Sequence, residues 1–181
     1  PTITRLLDIG DSMGKQYAHA GWPNYNAYQH DLLALKVSDH PEFEEDEPNV
    51  LFCGAHHARE PIGAEVVMSL LYRIVTNYGR DAAVTASVTN KQIWFIPLVN
   101  PDGHKIVLGG VDVWWRKNIR DNNGSHSRDS NDGVDLNRNY GFQWGGAGSS
   151  PSPSSETYRG PTPFSESETL ALRTLLDART F

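Results

Sequence analysis

Several features are scarce in this 181-residue chain, and each absence narrows the reading. There is one cysteine, Cys53, so no internal disulfide can form and a cysteine-rich zinc site is excluded. No apolar run approaches the roughly 20 residues that span a bilayer as a helix, so no membrane partner is expected. Lysine and arginine number 16 against 22 aspartate and glutamate, a formal net charge of −6, and they form no cluster. An acidic chain of pI near 5.6 with no basic patch argues against nucleic acid as a partner. The HExxH signature of one class of zinc proteases is missing. The first residues also lack the charged and apolar regions of a signal peptide, which is expected to be absent or already removed.

What is present describes a globular α/β chain. Hydrophobic residues make up 38% and charged residues 21%, and the length suits one domain of roughly 100–200 residues. Residues 31–38 (DLLALKVS) and 49–54 (NVLFCG) read as strands, the second a short apolar run of the buried parallel type, with Cys53 packed as a small hydrophobe. Residues 61–78 carry Ile62, Val66, Met68, Leu70, Leu71, Ile74 and Val75, a broad helical stripe opened by Pro61. Residues 91–99 (KQIWFIPLV) are the next strand, and NPDG at 100–103 reads as a turn. Strand, helix and strand at this spacing predict a βαβ unit in a parallel or mixed sheet flanked by helices. Residues 118–163 are rich in Asn, Gly, Ser and Pro, and their aromatics, Tyr140, Phe142, Trp144 and Tyr158, point to ordered functional loops. Ser165 with Glu168 predicts a capping box before a last helix faced by Leu170, Ala171, Leu175 and Leu176.

Three clusters carry chemistry. GAHHARE at 54–60 stands after a strand and before a helix, where open α/β sheets place ligands. His57 and Glu60, three apart at the helix entry, can converge on one point and offer zinc a nitrogen and an oxygen, but a catalytic zinc needs a third protein ligand. Taken alone, the same pair equally reads as a local cap and a helix N-terminal acid, and His56 reads as solvent-facing or packed. Arg116 follows Trp114 and Trp115, and Arg138 follows Asn137 in GVDLNRNY. Both guanidinium forks suit a carboxylate or an oxyanion, or an ordinary surface ion pair. A fourth candidate is the acidic run Glu42, Glu44, Glu45, Asp46 and Glu47, which reads as a solvated loop or as a calcium site.

In order, GAHHARE, NPDG, WWRKN, GVDLNRNY and SETYRGPTPFSESE resemble the zinc metallocarboxypeptidases of the carboxypeptidase A, B and T type, from about Asp31 to the last helix. The resemblance implies an α/β fold with a mixed, mostly parallel twisted sheet, and an exopeptidase acting on peptides with a free C-terminal carboxylate. It implies zinc held by His57 and Glu60, an oxyanion-stabilising Arg116, a carboxylate clamp of Asn137 and Arg138, and Arg59 on the substrate side. The wording HHARE resembles microbial members, and Asn131 and Ser154 stand where animal members have a disulfide. Residues 1–181 are expected to be the N-terminal portion of one catalytic domain, with the third zinc ligand and the general base in a C-terminal segment outside them. The resemblance further implies a secreted or periplasmic location. Two other readings stay open: a related amidohydrolase that deacylates N-acyl amino acids, and a non-catalytic module that binds carboxylates.

Overall fold

The computed structural model describes residues 2–181. Strands β1 (Thr4–Asp11), β2 (Asp31–Val37), β3 (Asn49–Cys53) and β4 (Gln92–Ile96) form one sheet in the order β1-β2-β4-β3. Helices α1 (Met13–His19), α2 (Ile62–Asn77), α3 (Ala82–Thr89), α4 (Pro101–Leu108) and α5 (Ser167–Asp177) surround it. The segment QIWFI becomes β4, and all five of its residues are buried. Side chains alternate between the faces of a strand. Ile93 and Phe95 therefore pack with Val37, Val67 and Val88 under α2 and α3. Trp94 and Ile96 pack with Ala34, Leu172 and Leu175 under α5. Each such side chain contributes about 1.5–3 kcal/mol on full burial.

The α/β class and the mixed sheet are as expected, but the expected predominance of parallel pairing is not met. β1–β2 and β2–β4 are antiparallel, and β3–β4 is parallel. The βαβ pattern covered only β3, α2 and β4, and β2, which runs the other way, makes both of its pairings antiparallel. β3 is also no buried strand: it pairs with β4 alone, its residues are half-buried, and Cys53 is exposed rather than packed. The stripe on α2 is broader than the face it buries. Val67 is its buried residue, while Ile62, Val66, Met68 and Tyr72 stay exposed.

Two local expectations are corrected. NPDG opens α4 instead of forming a free turn: Asn100 Oδ1 accepts from the Gly103 amide at 2.9 Å, and Pro101 occupies the first helical turn. The capping box does not form. The residue before α5 is Glu166, to whose Oε1 Ser165 Oγ donates at 2.7 Å, and Glu168 turns away into the core. There Glu168 accepts from the Met13 amide at 3.1 Å and from Asn118 Nδ2 at 3.2 Å. Asp102 lies beside it, accepting from Ser12 Oγ at 2.9 Å and the Gly14 amide at 2.7 Å.

Asp102, Glu166 and Glu168 are all fully buried, and Arg120 pairs with Glu166 at 3.1 Å. Burial, then the charge of Glu166, pushes Glu168 up to about 7. Burial, then the charge of Glu168, holds Asp102 well above the usual carboxylate range.

Candidate active site

The GAHHARE turn is built by close backbone approach. A Cβ on Gly54 would lie 2.5 Å from the Gly63 carbonyl oxygen, so the end of β3 touches the first turn of α2 only because residue 54 is glycine. Ala55 takes φ 52°, a left-handed conformation in which strain is stored. Neighbouring hydrogen bonds fix it there: Val99 N donates to Gly54 O at 3.1 Å and Asn100 N to Ala55 O at 3.2 Å. Buried Asn100 then ties three segments together, because its Nδ2 donates to the carbonyls of His56 (3.1 Å) and Lys117 (3.0 Å). Ala58 N donates to Arg116 O at 3.0 Å, which sets the arginine segment against the histidine turn.

Within this frame His57 Nδ1 lies 3.0 Å from Glu60 Oε2, and His57 Nε2 lies 3.0 Å from Asp135 Oδ1. Asp135 is fully buried, and its Oδ2 accepts from Arg116 Nε at 3.2 Å and Nη2 at 2.9 Å. Arg116 Nη1 also lies 3.6 Å from Glu60 Oε1. Burial opposes charge on His57, but the hydrogen bonds to Asp135 and Glu60 outweigh it and raise its pKa. Burial likewise opposes charge on Asp135, and His57 and Arg116 outweigh it and hold the carboxyl low. Asp135 is the functional residue the sequence reading missed. The available signal was the one acid inside GVDLNRNY, two residues before Asn137.

The donor set suits zinc. One imidazole nitrogen and one carboxylate oxygen lie side by side, and the second imidazole nitrogen is oriented by a buried carboxylate, the usual support for a metal-ligating histidine. His56 is neither solvent-facing nor in the pair. Its Nε2 lies 2.8 Å from Tyr140 Oη.

Asn137 and Arg138 follow at once, because Asp135 caps the short 3-10 turn Leu136–Arg138 by accepting from the Asn137 amide at 3.0 Å. Asn137 lines two cavities, one of ≈ 290 Å³ with His57 and Glu60 and one of ≈ 470 Å³ with Arg138, Tyr140 and Phe142. Arg138 donates to the Gly148 carbonyl at 2.9 Å and to the Asn137 carbonyl at 3.0 Å, and among the described residues it pairs with no carboxylate. Arg59 stands apart from the pair, donating to Trp114 O at 2.9 Å and Glu156 Oε2 at 2.8 Å.

The calcium expectation finds no support in the acidic run. Glu42 pairs with Arg5, and Glu44 with Arg179 at 2.9 Å. Asp39, His40 and Glu45 do bring one ligating atom each within 4.8 Å of one another, but an imidazole with two carboxylates falls short of the six to eight oxygens calcium takes.

A mixed sheet with a histidine–glutamate pair at a strand end, braced by a buried carboxylate and flanked by cationic side chains, defines an α/β protein with a site suited to a divalent metal. The comparisons make this specific. The family model described as "Zinc carboxypeptidase" matches residues 27–181, and the chain belongs to that family.

Among its relatives is "Zinc carboxypeptidase" of Saccharothrix mutabilis subsp. capreolus, 38% identical over 151 residues, covering 82% of this chain and 30% of that protein. Another, from Uncinocarpus reesii, is described as "Inactive metallocarboxypeptidase ECM14" and is 34% identical over 143 residues, covering 76% of this chain and 24% of that protein. Among solved structures, thrombin activatable fibrinolysis inhibitor superposes with a TM-score of 0.78 at 27% identity, covering 97% of this chain and 39% of that one. The chain thus spans less than a third of the length of these two curated relatives.

Proposed function

We propose that these residues are part of a zinc-dependent metallocarboxypeptidase that hydrolyses the C-terminal peptide bond of peptides and proteins. The observation that carries this reading is Arg138. A half-buried guanidinium without a carboxylate partner sits one residue from Asn137, which reaches the cavity of His57 and Glu60. A planar fork so placed binds a terminal carboxylate in bidentate fashion, and this is what restricts hydrolysis to a free C-terminus.

His57 and Glu60 would hold the zinc, which when bound supplies Lewis-acid polarisation and a water of lowered pKa. A catalytic zinc takes a third protein ligand, which this reading assigns to sequence outside these residues. Arg116 has two nitrogens on Asp135, which fixes its plane and leaves Nη1 beside Glu60, where negative charge on a cleaved carbonyl develops. Removing one such donor typically lowers the rate by about 10²–10³. Asn137 forms the clamp with Arg138, and Arg59, held by Trp114 O and Glu156, would serve on the substrate side.

The test uses the enzyme containing this chain, loaded with zinc, on three substrates: a peptide, its C-terminal amide and an N-acyl amino acid. Turnover of the free-acid peptide alone, lost on Arg138→Ala, supports the reading. Preference for the N-acyl amino acid overturns it in favour of the amidohydrolase. The relative described as inactive favours a second reading, a module that binds C-termini without cleaving them. Binding of the free-acid peptide with no turnover at full zinc loading would decide for that one.

A further inference from the structure

Two adjacent histidines hold the clamp segment from both sides. His57 Nε2 lies 3.0 Å from Asp135 Oδ1, two residues before Asn137. His56 Nε2 lies 2.8 Å from Tyr140 Oη, two residues after Arg138. The first contact orients a metal ligand, and the second has no part in the reading above.

Both partners of the second contact are anchored. The His56 carbonyl accepts from buried Asn100 Nδ2 at 3.1 Å. The half-buried Tyr140 ring packs against the core that holds Trp94, Ile96 and Leu136. It also meets the Phe164 ring edge-on, with centroids 5.9 Å apart. A Cβ on Gly141 would lie 2.7 Å from Phe164 Cε2, so Phe164 closes on this segment only because residue 141 is glycine. Phe164 N then donates to Asn139 O at 2.7 Å.

The clamp needs such support. Among the described residues no helix or strand lies between the 3-10 turn Leu136–Arg138 and α5, so side chains must fix how Asn137 and Arg138 are presented. One hydrogen bond, at Asp135, leaves a pivot. A second at Tyr140, beyond the clamp residues, removes it. Tyr140 also lines the ≈ 470 Å³ cavity with Asn137 and Arg138, so any shift of its ring reshapes the clamp directly.

We propose that His56 and Tyr140 are positioning residues, whose hydrogen bond sets the spacing between the metal pair and the carboxylate clamp. That spacing decides where the scissile carbonyl falls once the C-terminus is held, and a misplacement of about 1 Å costs about 10²-fold in rate. The proposal rests on the carboxypeptidase reading.

The experiment uses the zinc-loaded enzyme containing this chain. Tyr140→Phe removes one oxygen and keeps the packed ring; thermal unfolding checks that it folds, and His56→Leu carries the test where it does not. On a free-acid peptide kcat should fall by about 10–100-fold with KM nearly unchanged. Zinc affinity, read by chelator competition, should stay at the wild-type value. Binding of propionate, whose one carboxylate takes the clamp, should persist. Succinate, whose second carboxylate reaches the metal, should bind about tenfold more weakly than to wild type. His56→Gln, which can still pair with the phenol, should keep more of the rate than His56→Leu. The double variant Tyr140→Phe/His56→Leu should fall no further than either single one. Wild-type turnover of the free-acid peptide together with an unchanged kcat in Tyr140→Phe overturns this proposal alone. So do losses that multiply in the double variant, a loss of zinc affinity, or equal weakening of propionate and succinate. A wild-type enzyme that leaves the free-acid peptide intact overturns the carboxypeptidase reading, and this proposal with it.

Discussion

Glu168→Gln should remove a fall in stability that the wild-type chain undergoes between weakly acidic and neutral pH. Folded, this carboxyl titrates at about 7 because it is fully buried beside Glu166, against an ordinary value of 4.5. Between those two values the folded chain keeps a proton that the unfolded chain has released. Stability from this group is therefore greatest below about pH 4.5, declines as pH rises through the window, and levels off above about 7. At about 1.4 kcal/mol for each tenfold change in proton affinity, the decline is about 3 kcal/mol.

Glutamine cannot ionise, so its variant lacks this contribution. It can still accept from Met13 N, but its amide must face Asn118 Nδ2, which now donates to Glu168 at 3.2 Å. That mismatch adds a cost that does not depend on pH, so the slope is the readout. Urea unfolding at about pH 5 and about pH 7.5, in both proteins, should give a difference of differences of about 2 kcal/mol, since part of the decline falls outside that window. His57, whose pKa is also raised, titrates in both and cancels, whereas Asp102 loses the part of its rise that the Glu168 charge supplies, which acts in the same direction. Parallel stability curves for the two proteins would refute the reasoning.

Asp135→Asn should weaken zinc binding by about 10–100-fold, because a neutral amide accepts more weakly than the carboxylate from His57 Nε2 and from Arg116; competition with a chromophoric chelator measures this. Gly133→Ala should destabilise the chain by more than about 2 kcal/mol. Residue 133 has φ 82°, and an added Cβ would lie 2.4 Å from Asn118 O and 2.7 Å from Lys117 Cβ; thermal unfolding measures the loss.

The parts of this protein legible in its sequence are those where one residue type does one local job. QIWFI reads as a strand because four of its five side chains are apolar and β-branched or aromatic, and all five are buried within the sheet. Pro61 marks the start of α2 for the same local reason. Legibility fails where a side chain is recruited from far away. Glu168 has the spacing of a capping residue but serves Met13 and Asn118 instead. Asn100, which reads as a turn former, caps α4 and holds two other segments. Edge position is equally invisible, so β3 looked buried when only its pairing with β4 covers it. In the site, the spacing of His57 and Glu60 was readable. Asp135 was not, because its importance lies in what converges on it from the histidine turn and from Arg116.

The buried acids that receive Ser12, Met13 and Gly14 also set an order of assembly. The amide of Met13 bonds a side chain 155 positions away, and the amide of Gly14 one 88 positions away. As these residues are synthesised, the Gly14 amide therefore stays on water until Asp102 is made, and the Met13 amide until Glu168 is. Closing such distant pairs is slow compared with forming a helix. Seating α5 on the start of α1 is thus expected to be slow compared with forming either helix.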